Sequence, residues 1–443
     1  MNASFLQVII FLCAGILCII LFTTKLRVHA FFALMIACFV TGLGVGMPLS
    51  EIIATIKDGF GSIMKSLGFI IVLGTTIGVL LQHTGCTKVM ANYILKIVGE
   101  KNASLAISIT GFIVGLPVFC DSGYIVLSGL NNSLVKRTGT PAAVMSVSLA
   151  SGLYAVHCLI PPHPGAAAAA GTIGVDFGKL ILYGIAIAIP AMLAGHWWAV
   201  YAGKSTAAPA TDEHEITEDI SSHPKTWQAF LPVIVPVILI AVKSFFNEEN
   251  FTNNKWMGSL LSIGDPVIAL SIGVLLAFTV KKHWKKNDVG KLLHDSVEKA
   301  GSILIIIGAG GAFGAVLAAT KIGDHFSAIA DLASIGILFP FLLTFILKTA
   351  QGSSTVAIIT AASIVQPLLH ALHLDSDTGK LLTVLAMGAG SMMISHANDA
   401  YFWVITKFSG LEMKTTLRVY SAATLLMGLV TMAVIYILSL VMM

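Results

Sequence analysis

The stretch ILKTAQGSSTVAII, Ile346 to Ile359, is apolar at both ends and is interrupted at its centre by polar side chains and a glycine. A second stretch of this kind, GLPVFCDSGYIVL, runs from Gly115 to Leu127. Backbone N–H and C=O groups that leave a helix at membrane depth are tolerated only where they are buried in protein or line an aqueous cavity. Each stretch therefore predicts a re-entrant hairpin, in which two short helices meet at a polar turn.

Two further interruptions follow these hairpins, and each contains histidine. They are ASGLYAVHCLIPPHPG, from Ala150 to Gly165, and GAGSMMISHANDAYFW, from Gly388 to Trp403. A hairpin followed by a broken span thus occurs once in each half of the chain, which predicts two inverted repeats. Interrupted segments at corresponding positions of two halves are the best sequence indication of a transporter's binding site. The four breaks are expected to converge; they lie near Asp121, Pro161, Gly352 and Asn398.

The composition indicates a membrane protein. Of the 443 residues, 56% are hydrophobic and 11% are charged, and the mean hydropathy is +0.90, whereas a soluble domain carries about 25% charged residues. Apolar runs of about 20 residues predict membrane-spanning helices, so the expected fold class is all-α and polytopic. The predicted spans are an N-terminal run, read as a span rather than a signal peptide, and runs near 28–47, 66–84, 103–119, 141–160, 178–202, 228–245, 258–280, 302–320, 328–347, 352–372, 381–395 and 420–442.

The long polar stretch from Lys204 to Lys225 divides the chain. It is acidic and poor in apolar residues, so it predicts a linker rather than a packed segment. We expect an N-terminal membrane half over 1–203, a linker over 204–226 and a C-terminal membrane half over 227–443. The basic cluster from Lys281 to Lys291 predicts a cytoplasmic loop, and the expected location is a bacterial inner membrane.

Motifs for other chemistries are missing from the sequence. No GxSxG, HExxH or GxxxxGK[ST] occurs, so the pattern does not favour an enzyme or an ATP-driven pump. A passive channel would tolerate the polar breaks but would not require matched hairpins. The net charge of +4 gives no footprint for nucleic acid. The six cysteines form no CxxC pair, so neither a disulfide framework nor a zinc site is predicted; they are Cys13, Cys18, Cys38, Cys86, Cys120 and Cys158. No metal and no cofactor is expected.

Three motifs resemble signatures of the gluconate permease family, and the likeness extends over nearly the whole chain. They are HCLIPPHPG (His157 to Gly165), AQGSSTVA (Ala350 to Ala357) and SHANDAYFW (Ser395 to Trp403). The resemblance implies inverted repeats of the ion-transporter superfamily, a homodimer and an elevator motion. It also implies an ion-coupled symporter, with the proton favoured over sodium, that imports a small hydroxylated monocarboxylate such as gluconate or a related sugar acid. A permease for D-serine or a glycerate-type acid is the alternative.

The polar residues at the breaks are the candidate site. A charged residue at membrane depth costs at least about 2.5–3.5 kcal/mol on insertion scales, which makes it a functional candidate by default. The candidates for proton coupling are Asp121, Asp399, His157 and His396. The candidates for substrate binding are Asp121, Ser122, Gly123, His163, Gln351, Gly352, Ser353, Ser354, Thr355, Asn398 and Asp399, with Lys348 as a further cation.

Each candidate also has a purely structural interpretation. A carboxylate can cap a broken helix or pair with a cation, and Ser or Thr commonly bonds between membrane helices. A single histidine in apolar surroundings is often a satisfied structural donor, and Lys348 can direct its ammonium toward the interface.

Overall fold

The computed structural model describes residues 5–99, 102–204, 224–245, 262–281, 284, 286–320, 335–396 and 399–443. These residues form helices and no β-strand, so the predicted all-α class is confirmed. The helices are α1 Phe5–Thr24, α2 Ala30–Gly44, α3 Leu49–His83, α4 Cys86–Val98, α5 Ala103–Gly115, α6 Cys120–Thr138, α7 Ala142–Leu159, α8 Pro164–Ile173, α9 Phe177–Gly203, α10 Thr226–Phe245, α11 Pro266–Thr279, α12 Lys286–Ala319, α13 Leu338–Gln351, α14 Ser354–Val365, α15 Asp377–Met392, α16 Ala400–Ser409 and α17 Ala422–Met442.

The molecule is built to face lipid. Within the described part of the chain, seven helical stretches are long and apolar enough to cross a membrane, and shorter apolar helices accompany them. Large apolar side chains point outward on several of these helices; Leu17 is 64% exposed, Phe69 70% and Val441 79%. Such a surface is rare on soluble monomers, and in a bilayer it needs no protein cover. The chain is therefore a multi-pass membrane protein.

The two halves present their helices in the same order. In the first half, the long helix α3 is followed, after α4, by the pair α5–α6, the pair α7–α8 and the long helix α9. In the second half, the long helix α12 is followed by the pair α13–α14, the pair α15–α16 and then α17. Helices α3 and α12 pack directly on each other. A Cβ at Gly59 would lie 2.6 Å from the carbonyl oxygen of Gly311, so glycine permits this close backbone approach.

Some boundaries differ from the predicted ones. The amphipathic lead-in from Ile52 and the span near 66–84 form one helix, α3, because no proline separates them. Helix α4 lies in a stretch where we predicted no span. Most of the predicted linker lies outside the described residues; α9 ends at Gly203 and α10 begins at Thr226.

The helix pairs are interrupted at proline and glycine residues. Residues 116–119 separate α5 from α6 and include Pro117, which has no N–H to donate to a helix. Gly352 ends α13 with a φ of +78°, a left-handed conformation that favours glycine. Helix α7 ends before the prolines Pro161 and Pro162, which a cis peptide bond joins. We call α5, 116–119 and α6 hairpin 1, and α13, 352–353 and α14 hairpin 2.

Candidate functional site

Each broken span contacts the hairpin of its own half. The ring Nε2 of His163, between α7 and α8, donates to the carbonyl oxygen of Gly115 at 2.6 Å. The ring Nε2 of His396, between α15 and α16, donates to the carbonyl oxygen of Thr349 at 3.2 Å. Because both acceptors lie at the end of the first hairpin helix, each break meets a hairpin turn.

The two halves also meet each other at these breaks. A Cβ at Gly165, in the first turn of α8, would lie 3.3 Å from Cα of Thr355, in the first turn of α14. Hairpin 1 also meets the second broken span, because the rings of Tyr124 on α6 and Tyr401 on α16 have centroids 6.1 Å apart. The breaks near Asp121, Pro161 and Gly352 thus share one region, while Asn398 lies outside the described residues.

Four helices begin in this region, namely α6, α8, α14 and α16. The first N–H groups of a helix have no partner within the helix, and the helix dipole adds partial positive charge there. Helix N-termini are therefore suited to bind an anion such as a carboxylate. The N-termini of these four helices give the region partial positive charge from backbone N–H groups, which adds no charged side chain.

Lys348 and Asp399 form a buried ion pair across hairpin 2 and the second broken span. Nζ of Lys348 lies 2.7 Å from Oδ2 of Asp399, and the two side chains are 0% and 8% exposed. The same Nζ donates to the carbonyl oxygen of Gly352 at 2.9 Å. A buried charge is tolerated only when it is paired and hydrogen-bonded, so Lys348 holds the turn of hairpin 2 against the break.

Both carboxylate oxygens of Asp399 are occupied by protein groups. Oδ1 accepts the backbone N–H of Tyr401 at 3.0 Å and so caps the N-terminus of α16. Oδ2 accepts the hydroxyl of Ser395 in addition to the ammonium of Lys348. Asp399 thus both caps a broken helix and pairs with a cation, which are the two structural roles considered for a carboxylate at a break.

Asp121 is bonded very differently. It is the second residue of α6, is half-buried, and forms no ion pair within the described residues. Its one described hydrogen bond comes from the Cys120 thiol, whose Sγ is 3.9 Å from Oδ1. A thiol is a weak donor, so the Asp121 carboxyl group is available to a proton, a cation or a ligand.

The turn of hairpin 2 contains an unsatisfied amide. Both polar atoms of the Gln351 side chain are buried and have no hydrogen-bond partner among the described residues. The next side chains along the turn are polar as well: Ser353 caps α14 by accepting the Val356 N–H at 3.3 Å, Ser354 is buried and Thr355 is half-buried. An unsatisfied buried polar group costs about 1–3 kcal/mol. The Gln351 amide therefore indicates a position where a water or a ligand supplies the missing bonds.

The histidines of the first broken span lie side by side. The ring centroids of His157 and His163 are 5.0 Å apart, and each ring has a buried Nδ1 without a partner among the described residues. Since a carbonyl oxygen only accepts, Nε2 of His163 carries the hydrogen that it donates to Gly115. The His157 ring also stacks on Tyr154, with ring centroids 6.3 Å apart.

Two candidates in hairpin 1, Ser122 and Gly123, offer few or no polar side-chain atoms to a ligand. Ser122 is half-buried on α6. Gly123 is buried, and a Cβ there would lie 2.7 Å from Cδ2 of Leu153 on α7. Gly123 therefore permits close packing of α6 on α7, a role that needs no ligand.

Ser395 is a site residue that sequence reasoning did not identify. Its carbonyl oxygen accepts the Ser421 hydroxyl, and its N–H donates to Oγ1 of Thr424 at 3.0 Å. Ser421 ends a π-helical turn, Leu417–Ser421, which leads into α17; such turns are frequent at functional sites. Ser395 thus connects α17 to Asp399. The motif from Ser395 to Trp403 contained the residue, but nothing in the sequence signalled the π-helical turn.

Comparisons with known proteins match nearly the whole chain. A model of the family described as GntP family permease matches residues 6–441. The chain is similar to a gluconate permease of Pseudomonas aeruginosa, at 34% identity over 96% of this chain and 95% of the relative. It is also similar to the Gnt-II system L-idonate transporter of Escherichia coli, at 29% identity over 95% and 96% of the two chains.

A solved structure shares the fold. The crystal structure of the YdaH transporter from Alcanivorax borkumensis, described as having an unusual topology, superposes with a TM-score of 0.57. The match covers 85% of this chain and 86% of that one, at 13% sequence identity. At this identity the likeness concerns the fold alone.

Proposed function

Because the chain belongs to the GntP family of permeases, we propose that it is an ion-coupled symporter that imports a small hydroxylated monocarboxylate, gluconate or a related sugar acid. Membership in this family makes it a membrane transport protein rather than an enzyme, and the bacterial inner membrane is the location that fits its relatives. The relatives named for gluconate and L-idonate both handle acids with one carboxylate and several hydroxyl groups.

The Gln351 amide, which is buried and has no hydrogen-bond partner in the described part of the chain, is the observation that carries this proposal. It offers two N–H donors and one acceptor, which suit the hydroxyl groups of a sugar acid. The Lys348 ammonium, one turn earlier on α13, and the N-terminus of α14 suit the substrate carboxylate. Ser353, Ser354 and Thr355 add hydroxyl groups beside them, so hairpin 2 supplies a cationic end and a polar neutral end.

The charge balance favours a single carboxylate on the substrate. Lys348 is the buried cation at the breaks that the structure describes, and the carboxyl groups of Asp121 and Asp399 share its surroundings. A dicarboxylate would place a further negative charge in a region of low dielectric constant, where like charges repel strongly. A monocarboxylate with a neutral hydroxylated tail avoids that cost.

Asp121 supports proton coupling. Asp399 is engaged by Lys348, Ser395 and Tyr401, whereas Asp121 meets only a thiol among the described residues. A carboxyl group without a fixed cation can bind and release a proton without breaking an ion pair. Asp121 is therefore the proposed proton carrier, and sodium is the alternative coupling ion.

Uptake into proteoliposomes tests the function. Gluconate should accumulate when an inward proton gradient is imposed and should stop accumulating when that gradient is collapsed. Unlabelled gluconate, L-idonate and glycerate should compete with labelled gluconate better than succinate or citrate. Stronger competition by succinate or citrate, or accumulation that persists without proton and sodium gradients, would contradict the proposal.

D-serine is a second candidate substrate, and Asp121 is the observation that favours it. This carboxyl group, which forms no ion pair among the described residues, would bind the ammonium of an amino acid while hairpin 2 binds its carboxylate. The same competition experiment separates the two candidates, because D-serine should then displace the label better than gluconate does.

We also propose an architecture for the transport cycle. The halves 1–203 and 227–443, joined by the linker 204–226, act as inverted repeats, and the early spans of each half form the scaffold of a homodimer. Outward apolar side chains on α1, such as Leu6 and Ile10, which are 66% and 52% exposed, are available to such a contact. The hairpins and broken spans then move against the scaffold as an elevator. Crosslinking in membranes tests the dimer, and a monomer by that measure contradicts it.

A further inference from the structure

The two histidines that contact the hairpins occupy matching positions in their repeats. His163 is the fourth residue after the end of α7 at Leu159. His396 is the fourth residue after the end of α15 at Met392. Each is thus presented by the break of its own span, although the second break is longer, since α16 begins at Ala400.

The carbonyl groups that accept from these histidines also match. Gly115 lies five residues before Cys120, the first residue of α6. Thr349 lies five residues before Ser354, the first residue of α14. The two contacts therefore involve equivalent points of the two hairpins. Because the histidine and the carbonyl group both match, chance does not readily explain the agreement of the two contacts.

These carbonyl groups need a partner from elsewhere. The last four C=O groups of an α-helix have no acceptor role within the helix, and Gly115 and Thr349 lie in the final turns of α5 and α13. The histidine ring satisfies one such group in each hairpin by donating from Nε2. Loss of that bond would remove one contact between the break and the end of the first hairpin helix.

We propose that His163 and His396 are matched positioning residues, each a latch that holds the turn of its own hairpin against the adjacent broken span. Within the described residues, the ring of each histidine bonds to the hairpin of its own half, so each latch controls one turn. This goes beyond the transported substrate and concerns how access to the site is controlled.

The latches are unequal. The His163 bond is 2.6 Å long and its ring is 1% exposed, whereas the His396 bond is 3.2 Å long and its residue is half-buried. Shorter, fully buried hydrogen bonds open less readily. Hairpin 2 is therefore the one that releases first. Hairpin 2 is also held by the ion pair between Lys348 and Asp399. A substrate carboxylate is able to compete with Asp399 for the Lys348 ammonium.

Hydrogen–deuterium exchange of the full-length protein in nanodiscs tests the latches without any substrate. In the wild type, the amides at the end of α13 should exchange faster than those at the end of α5. His396→Ala should speed exchange at the end of α13 by about fivefold, the factor expected for one lost hydrogen bond. His163→Ala should do the same at the end of α5, and each variant should leave the other hairpin unchanged.

Conservative variants keep the test independent of general unfolding. In His163→Gln and His396→Gln the amide nitrogen takes the place of Nε2, so exchange should return close to the wild-type rate. His196→Ala is the matched control, because His196 is also buried but its ring bonds to the Ser148 hydroxyl on α7 and not to a hairpin carbonyl group. Equal acceleration of both hairpins by either alanine variant, or alanine-like exchange in the glutamine variants, overturns the proposal. Because no transport is measured, neither result depends on whether the substrate is gluconate.

Discussion

The two hairpins share a backbone plan but carry opposite chemistry. Asp121 is the second residue of α6, and the equivalent second residue of α14 is Thr355. Lys348 lies six residues before α14, and the residue six before α6 is Val114. Hairpin 1 thus contributes an acid that forms no ion pair among the described residues, and hairpin 2 contributes a paired cation with amide and hydroxyl groups. The two turns converge, and under the proposed function the differences between them assign ion binding to hairpin 1 and substrate binding to hairpin 2.

Loss of the cation of hairpin 2 should have the largest effect. Lys348→Met leaves the Asp399 carboxylate buried without its counter-charge, and breaking a buried pair in this way costs about 3–5 kcal/mol. We expect a marked fall in the melting temperature of the purified protein and no measurable gluconate uptake. Lys407→Met, which removes an exposed lysine on α16, should change neither quantity.

A double variant separates folding from transport at this pair. Lys348→Met with Asp399→Asn removes both charges, and neutral replacement of a buried pair is often tolerated. The melting temperature should recover while uptake stays absent, because the substrate carboxylate has lost its cation. Uptake in the double variant would mean that Lys348 serves the fold alone.

Removal of the acid of hairpin 1 should uncouple transport without abolishing it. In Asp121→Asn the side chain keeps its size but cannot carry a proton. We expect gluconate no longer to accumulate against its gradient, whereas exchange of labelled for unlabelled gluconate across proteoliposomes should continue. Proton-driven accumulation at the wild-type level in Asp121→Asn would assign the proton to another group, with His157 and His396 the next candidates.

The interruptions of these hairpins could be predicted from sequence, but their partners could not. Polar residues, glycine and proline inside apolar runs reveal where a membrane helix has to break, as at Gly352 and Pro161. Hydropathy does not specify which buried polar groups meet. Lys348 and Asp399 are 51 residues apart in the chain, and their contact depends on how α13 packs beside the second break. For the same reason Asp121 and Asp399 look alike in sequence, although within the described residues only Asp399 is held by an ion pair.

Replacement of the Gln351 amide in hairpin 2 should weaken substrate binding without lowering the stability of the protein. Gln351→Met fills similar space without polar atoms, so it removes a buried amide that has no partner among the described residues. We expect the melting temperature without substrate to stay the same or rise. The KM for gluconate should rise about 5- to 150-fold, the range for 1–3 kcal/mol of lost hydrogen bonding. A fall in melting temperature with unchanged KM would make Gln351 a structural residue.

Single hydroxyl groups give the smallest and most direct comparison of the two hairpins. Ser354 is buried in the first turn of α14, beside the proposed substrate position, so Ser354→Ala should raise the KM for gluconate about fivefold, as loss of one hydrogen bond does. Ser122 on α6 is half-buried, and Ser122→Ala should change the KM by less than about twofold. Ser50→Ala, at an exposed position in the first turn of α3, is the control and should have no effect. If Ser122→Ala weakens uptake as much as Ser354→Ala, both hairpins bind the substrate through their hydroxyl groups, and the division of labour between them is wrong.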